Sequence, residues 1–143
     1  MNLKNTRGYR NNNPGNLRHG SKWQGLAATQ TDAAFCQFET MYYGVRALDK
    51  LILNYTKNGY NTISKIISRY APTCENNTKA YITTVASMVN IQADRVLCEI
   101  GEITDIKVLS LVVAAIIAVE NGDRNNYHYW YCYAYVVYVE ALI

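Results

Sequence analysis

The sequence predicts a mainly α (α+β) fold in a single domain, residues 1–143, from three observations. Apolar residues recur at helical spacing from Thr40 onward, the first 38 residues are rich in Gly, Asn and Pro, and half of all residues are hydrophobic. A chain of 143 residues with that apolar content is the size of one compact unit, able to bury roughly two-thirds of its unfolded surface.

The irregular start carries three candidate strands, at 16–18, near Trp23 and at 35–38, which together suggest a small hairpin. From Thr40 the stripe Val45, Leu48, Ile52 and Tyr55 marks a first long helix, with Gly59 as its stop. Thr62 is placed to cap a short helix carrying Ile63, Ile66, Ile67 and Tyr70, which Pro72 cannot continue. Asn76 or Asn77 caps the next, with Tyr81, Val85 and Met88 inward. Thr104 is a suitable cap for a helix whose stripe is Leu109, Val112, Val113, Ile116 and Ile117. The last segment, 127–143, fits two readings. Its tyrosines alternate as in a strand, yet Tyr131, Tyr135, Tyr138 and Leu142 fit a helix, and its helical neighbours favour the second.

Composition narrows the functional classes. The first residues lack the apolar core of a secretory signal, and the run from Val108 to Val119 is well short of the ~20 residues that span a bilayer. Stable membrane insertion is not expected, and synthesis in a cytoplasm without a signal peptide is. Cys36, Cys74, Cys98 and Cys132 lie far apart with no CxxC pair, and His19 and His128 show no partner at ligand spacing, so neither a metal nor another cofactor is expected. Lys4, Arg7, Arg10, Arg18 and Lys22 all precede the first acidic residue, Asp32. This basic segment suits an anionic partner, whether cell-wall polymer or nucleic acid, or simply a solvated edge. No nucleic-acid-binding motif accompanies it, so no nucleic-acid partner is expected.

One residue breaks the pattern. Continuing the stripe 109, 112, 113, 116, 117 by the same step arrives at Glu120, a carboxylate on the face that should be buried. It precedes Asn121 and Gly122 at a helix carboxyl end, where burial and the negative end of the macrodipole both disfavour its charge. A carboxylic acid kept protonated near neutral pH is what glycosidic cleavage uses, because the leaving oxygen must receive a proton. The alternative is a helix that ends one residue earlier, with Glu120 facing water.

The stretches RGYRNNNPGNLRHGSKWQGL, FCQFETMYYGVRALDKLILNY and ISRYAPTCENNTKAYITTVA resemble a family of phage and prophage proteins labelled virion structural or lysozyme-like, over most of the chain. A more distant similarity is to lytic transglycosylases and glucosaminidases of the lysozyme superfamily. AFCQFET at 34–40 resembles their Gln-containing strand, ENNTKAYI at 75–82 their later Tyr motif, and AVENG at 118–122 their Glu-bearing turn. Here the Glu turn comes last instead of first, the order a circular permutation would produce.

The resemblance implies a lysozyme-like domain that cleaves the glycan strands of peptidoglycan as a muramidase or lytic transglycosylase. Glu120 would be general acid and base, with Gln37 and Tyr81 lining the sugar groove. Asp32 and Glu39, near the hairpin, are candidates for a second carboxylate, which lytic transglycosylases do without. Trp23 either stacks on a sugar or anchors the hairpin, and the amides from Asn11 to Asn16 either shape backbone or bond sugar hydroxyls. Arg10 and Arg18 could meet the lactyl carboxylates of muramic acid. A monomer acting at the bacterial wall or periplasm, or carried there in a virion, is expected. The competing class is a non-catalytic virion or wall-binding protein of the same fold.

Overall fold

The computed structural model describes residues 3–74, 76–98 and 105–142. The fold is mainly helical: α1 (Arg7–Arg10), α2 (Met41–Lys57), α3 (Ile63–Tyr70), α4 (Thr78–Val89), α5 (Ile106–Asn121) and α6 (Tyr127–Val137) follow in order. A 3₁₀ turn (Arg124–Asn126) leads into α6, and a π-helical turn (Tyr138–Leu142) follows it.

α5 is the centre of the molecule. Its residues from Val112 to Ala118 are all fully buried, which is the signature of a helix apolar on every side and therefore surrounded by others. α1, α2, α4 and α6 pack around it, while α3 rests on α4 and α2. α5 closes at Gly122, whose φ of 57° supplies the left-handed cap that ends the helix just after Glu120. Its amino-terminal cap is Asp105, whose side chain accepts from the Lys107 N–H. The expected cap, Thr104, lies outside the described residues.

Local chemistry explains the other boundaries. Thr62 caps α3 by accepting from the Lys65 N–H at 3.1 Å, and of the two candidate asparagines it is Asn77 that caps α4, accepting from the Ala80 N–H at 3.2 Å. Val89 is the buried residue at the end of α4, with Met88 only half-buried. The tyrosine-rich segment is helical, and its buried stripe is Trp130, Ala134, Val137 and Tyr138. Tyr131 and Tyr135 are half-buried beside that stripe instead of forming it.

The expected hairpin is reduced to isolated antiparallel bridges, Arg18 with Phe35 and Leu26 with Phe38. The physical reason is that the segment 34–39 serves several loops at once. The Cys36 N–H donates to Leu17, the Phe38 N–H to Asn11, and the Glu39 N–H to Gly25. The buried Asn13 amide donates to Leu17 and Cys36 and accepts from the Leu17 N–H, so a side chain takes over what a strand ladder would supply.

This loop region is fastened to the end of α5. The Trp130 indole N–H donates to the Tyr9 hydroxyl, which donates in turn to buried Asp123, each at 2.9 Å. Tyr9 and Trp130 also stack, with ring centroids 5.5 Å apart. Burial and the bond to Asp123 push the Tyr9 hydroxyl far above its ordinary range.

Candidate functional site

A groove of about 290 Å³ opens where the loop region meets α2, α3 and the end of α5. Trp23, Phe35, Arg18 and Asn16 line it from the loops, Leu51 and Tyr55 from α2, Tyr70 from α3, and Glu120 from α5. Glu120 is the one carboxylate among the described residues lining this groove.

Each oxygen of Glu120 has its own donor. The Asn16 amide donates to Oε1 at 3.1 Å, and the Tyr81 hydroxyl donates to Oε2 at 2.9 Å. Asn16 lines the groove, whereas Tyr81 is buried and approaches the carboxyl from the core side. Burial raises the pKa of Glu120, and the donations from Asn16 and Tyr81 and the charge of Arg18 offset only part of that rise. The result is a carboxyl that takes up a proton more readily than an exposed glutamate while its ionised form remains hydrogen-bonded. The Tyr70 hydroxyl donates to the Gly15 carbonyl, fixing the turn that precedes Asn16. Asn16 itself has φ 51°, a left-handed conformation that asparagine tolerates, and this aims its amide at α5.

The sequence-derived candidates divide. Glu120, Tyr81, Asn16 and Trp23 meet at or directly behind the groove. Gln37 does not line it. Its Oε1 accepts from the Thr31 N–H at 2.6 Å and from the Thr31 hydroxyl, and its Nε2 donates to Asn11, so it braces the loops.

Asp32 is also outside the groove. Arg7 grips it through two nitrogens at 2.7 and 2.8 Å, and the Asn11 amide and the backbone N–H groups of Ala34 and Phe35 donate to it as well. The Arg7 contact first, then these donors, hold its pKa far below the usual carboxylate range, so it neither gives nor takes a proton near neutral pH. Glu39 is exposed and contributes only backbone bonds, to Gly25 and from Asn12.

Two arginines flank Phe35, Arg7 at 4.6 Å and Arg18 at 4.9 Å from the ring centroid, which holds Arg18 at the groove wall. Arg10 turns away and donates to the Asn5 carbonyl. His128 does meet another potential ligand, Cys132, with Nε2 to Sγ at 3.6 Å one helical turn along α6, a spacing the sequence reading passed over. No group of three or more metal-ligating side chains exists among the described residues. None of the helices in that set is long and apolar enough to cross a membrane.

Protein P5 of Pseudoalteromonas phage PM2 is 36% identical to this chain over 128 residues, a match covering 86% of the chain and 75% of P5. The chain belongs to the family of that phage protein. No family model matches the sequence. The bacteriophage context that the resemblance implied is thus supported by a relative whose name states no activity.

Sequence reasoning missed Tyr70 and Asn121 as parts of this site. Tyr70 is placed by its helical stripe as a core residue, and nothing in one sequence says that its hydroxyl ends on Gly15. Asn121 is adjacent to Glu120 and buried, but an asparagine after a helix reads as a cap.

Proposed function

We propose that this chain cleaves the glycan strand of peptidoglycan, with Glu120 as general acid and then general base. The observation that carries the proposal is a half-buried carboxyl of raised pKa, held by two donors, at the wall of a groove lined by aromatic and amide side chains. Trp23, Tyr55 and Tyr70 offer apolar faces to sugar rings, while Asn16 and Arg18 offer donors to hydroxyl, acetamido and lactyl carboxylate groups.

In this reading protonated Glu120 gives its proton to the glycosidic oxygen as the bond to the anomeric carbon breaks. The Tyr81 hydroxyl and Asn16 amide then steady the carboxylate until it takes a proton from the attacking hydroxyl. Asp32 and Glu39 stand outside the groove, so one carboxylate must serve both steps. That favours attack by a hydroxyl of the same sugar, giving an anhydro end, over attack by water held by a second carboxylate.

The lysozyme-like assignment and the permuted order of its motifs belong to the same proposal. Of the three correspondences, the Glu turn and the Tyr motif converge on one point, since Tyr81 reaches Glu120 across 39 positions. Gln37 does not join them. Membership in a phage protein family fits carriage in a virion or release during infection, with the bacterial wall as the place of action.

Purified sacculi incubated with the chain, followed by mass analysis of the soluble fragments, test this directly. Anhydro ends are the expected product. Reducing ends would replace the internal attack with hydrolysis, and sacculi left intact would overturn the catalytic reading in favour of a virion or wall-binding protein.

A further inference from the structure

Asn16 has no local reason to face Glu120. Its Nδ2 donates to Glu120, but its Oδ1 is buried with no hydrogen-bond partner among the described residues. No hydrogen bond of this amide other than the one to Glu120 is therefore available to fix its direction, which leaves the turn that carries it to do so. That turn is tied to α5 by the neighbour of Glu120. Asn121 is buried and bonds through both ends of its amide: Nδ2 donates to the Pro14 carbonyl at 2.8 Å and to the Ile117 carbonyl at 2.9 Å, and Oδ1 accepts from the Thr6 hydroxyl at 2.6 Å.

Gly8 brings the two asparagines under one constraint. A Cβ placed at Gly8 would lie 2.7 Å from Asn121 Oδ1 and 3.0 Å from Asn16 Oδ1. Both amide oxygens thus press against the same bare backbone, and any side chain there would displace them together.

We propose that Asn121 is a positioning residue for Glu120: it fastens the turn from Pro14 to Asn16 onto the end of α5, so that the Asn16 amide meets the carboxyl. This role rests on the reading of Glu120 as the working acid. Asn121 does not line the groove and acts only through Asn16. Because the Asn16 donation favours the ionised carboxylate, loosening the turn lets Glu120 hold its proton to higher pH.

The experiment is a carbon-detected NMR titration of the Glu120 carboxyl in the full chain, for the parent, Asn16→Ala, Asn121→Ala and the double variant. Asn16→Ala should move the midpoint upward, Asn121→Ala should move it the same way, and the double variant should titrate no higher than Asn16→Ala alone. A parent-like midpoint in Asn121→Ala, or shifts that add in the double variant, would overturn the proposal. Should Asn121→Ala not fold, Thr6→Val and Gly8→Ala perturb the same fastening from the other side. Upward shifts in both support the role, and unchanged midpoints in both reject it. The titration needs no substrate, so sacculi left intact by the parent would count against the glycosidase while leaving this coupling to be judged on its own result.

Discussion

Glu120 near the end of α5 and Asp49 in the middle of α2 are both carboxyls on the apolar face of a long helix, and burial raises the pKa of each. They differ in everything else. Glu120 lines an open groove and has a donor on each oxygen, whereas Asp49 is fully enclosed and neither of its oxygens has a partner among the described residues. Its backbone carbonyl accepts from the Tyr138 hydroxyl at 2.7 Å. Burial alone therefore raises the pKa of a carboxyl without supporting its ionised form. Burial with an open side and donors for the ionised form makes one suited to the cycle proposed for Glu120.

The largest expected effect would break the comparison at its functional end. Glu120→Gln keeps shape and hydrogen-bonding reach but removes the proton, so cleavage of sacculi should fall by roughly a hundredfold or more. The melting temperature should stay the same or rise slightly. A variant that keeps most of its activity would show that Glu120 is not the acid.

Asp49 should matter to stability in a way that depends on pH. The folded chain retains the Asp49 proton at pH values where the unfolded chain has released it, so its contribution falls as pH rises from the ordinary carboxylate range toward the raised folded-state pKa. The slope is at most about 1.4 kcal/mol per pH unit for one group. Denaturant unfolding of the parent and Asp49→Asn at several pH values should show the variant gaining on the parent as pH increases. A difference independent of pH would mean that Asp49 is ionised in the folded chain.

Removing one donor sharpens the comparison further. Tyr81→Phe leaves Oε2 of Glu120 without its core-side partner and should lower cleavage by about tenfold, the scale of one hydrogen bond to a charged group. The pH dependence of kcat/KM should shift upward, because the ionised form loses support. A profile that does not move would separate Tyr81 from the proton chemistry.

Asp32 supplies the smallest effect, as a carboxyl already saturated with donors. Asp32→Asn should leave cleavage at neutral pH within about threefold, since Asp32 stands outside the groove and its ion-pair partner Arg7 is exposed. Its pKa is depressed in the folded chain, so whatever stability it confers is present above the ordinary carboxylate range and lost on acidification. Thermal unfolding below and above that range should show parent and variant converging at low pH.

These contrasts also mark what one sequence can disclose. The helical segments were legible from their stripes, and Glu120 stood out because α5 is apolar without a break from Leu111 to Val119. The same logic applies to Asp49, which sits between Leu48 and Ile52 and four positions after Val45, yet α2 also carries Arg46, Lys50 and Asn54, so its pattern did not single out one polar residue. In α6 the tyrosines surround the helix and Ala134 leaves no hydrophobic mark, which concealed the face led by Trp130. The hairpin was overstated because Asn13 does through its side chain what a ladder does through backbone. The bond from Asn16 to Glu120 spans 104 positions and is a product of the whole fold.

That span has a consequence in time. The turn bearing Asn16 is synthesised first and the carboxyl it serves comes 104 residues later, a delay of about 5 to 20 seconds at ordinary elongation rates. Until α5 has emerged, Thr6, Tyr9 and Pro14 lack their partners on Asn121 and Asp123, and Tyr9 waits longer still for Trp130, 121 positions away. The groove can therefore close only after α5 has been made, and a nascent chain stopped before α5 lacks the Glu120 carboxyl.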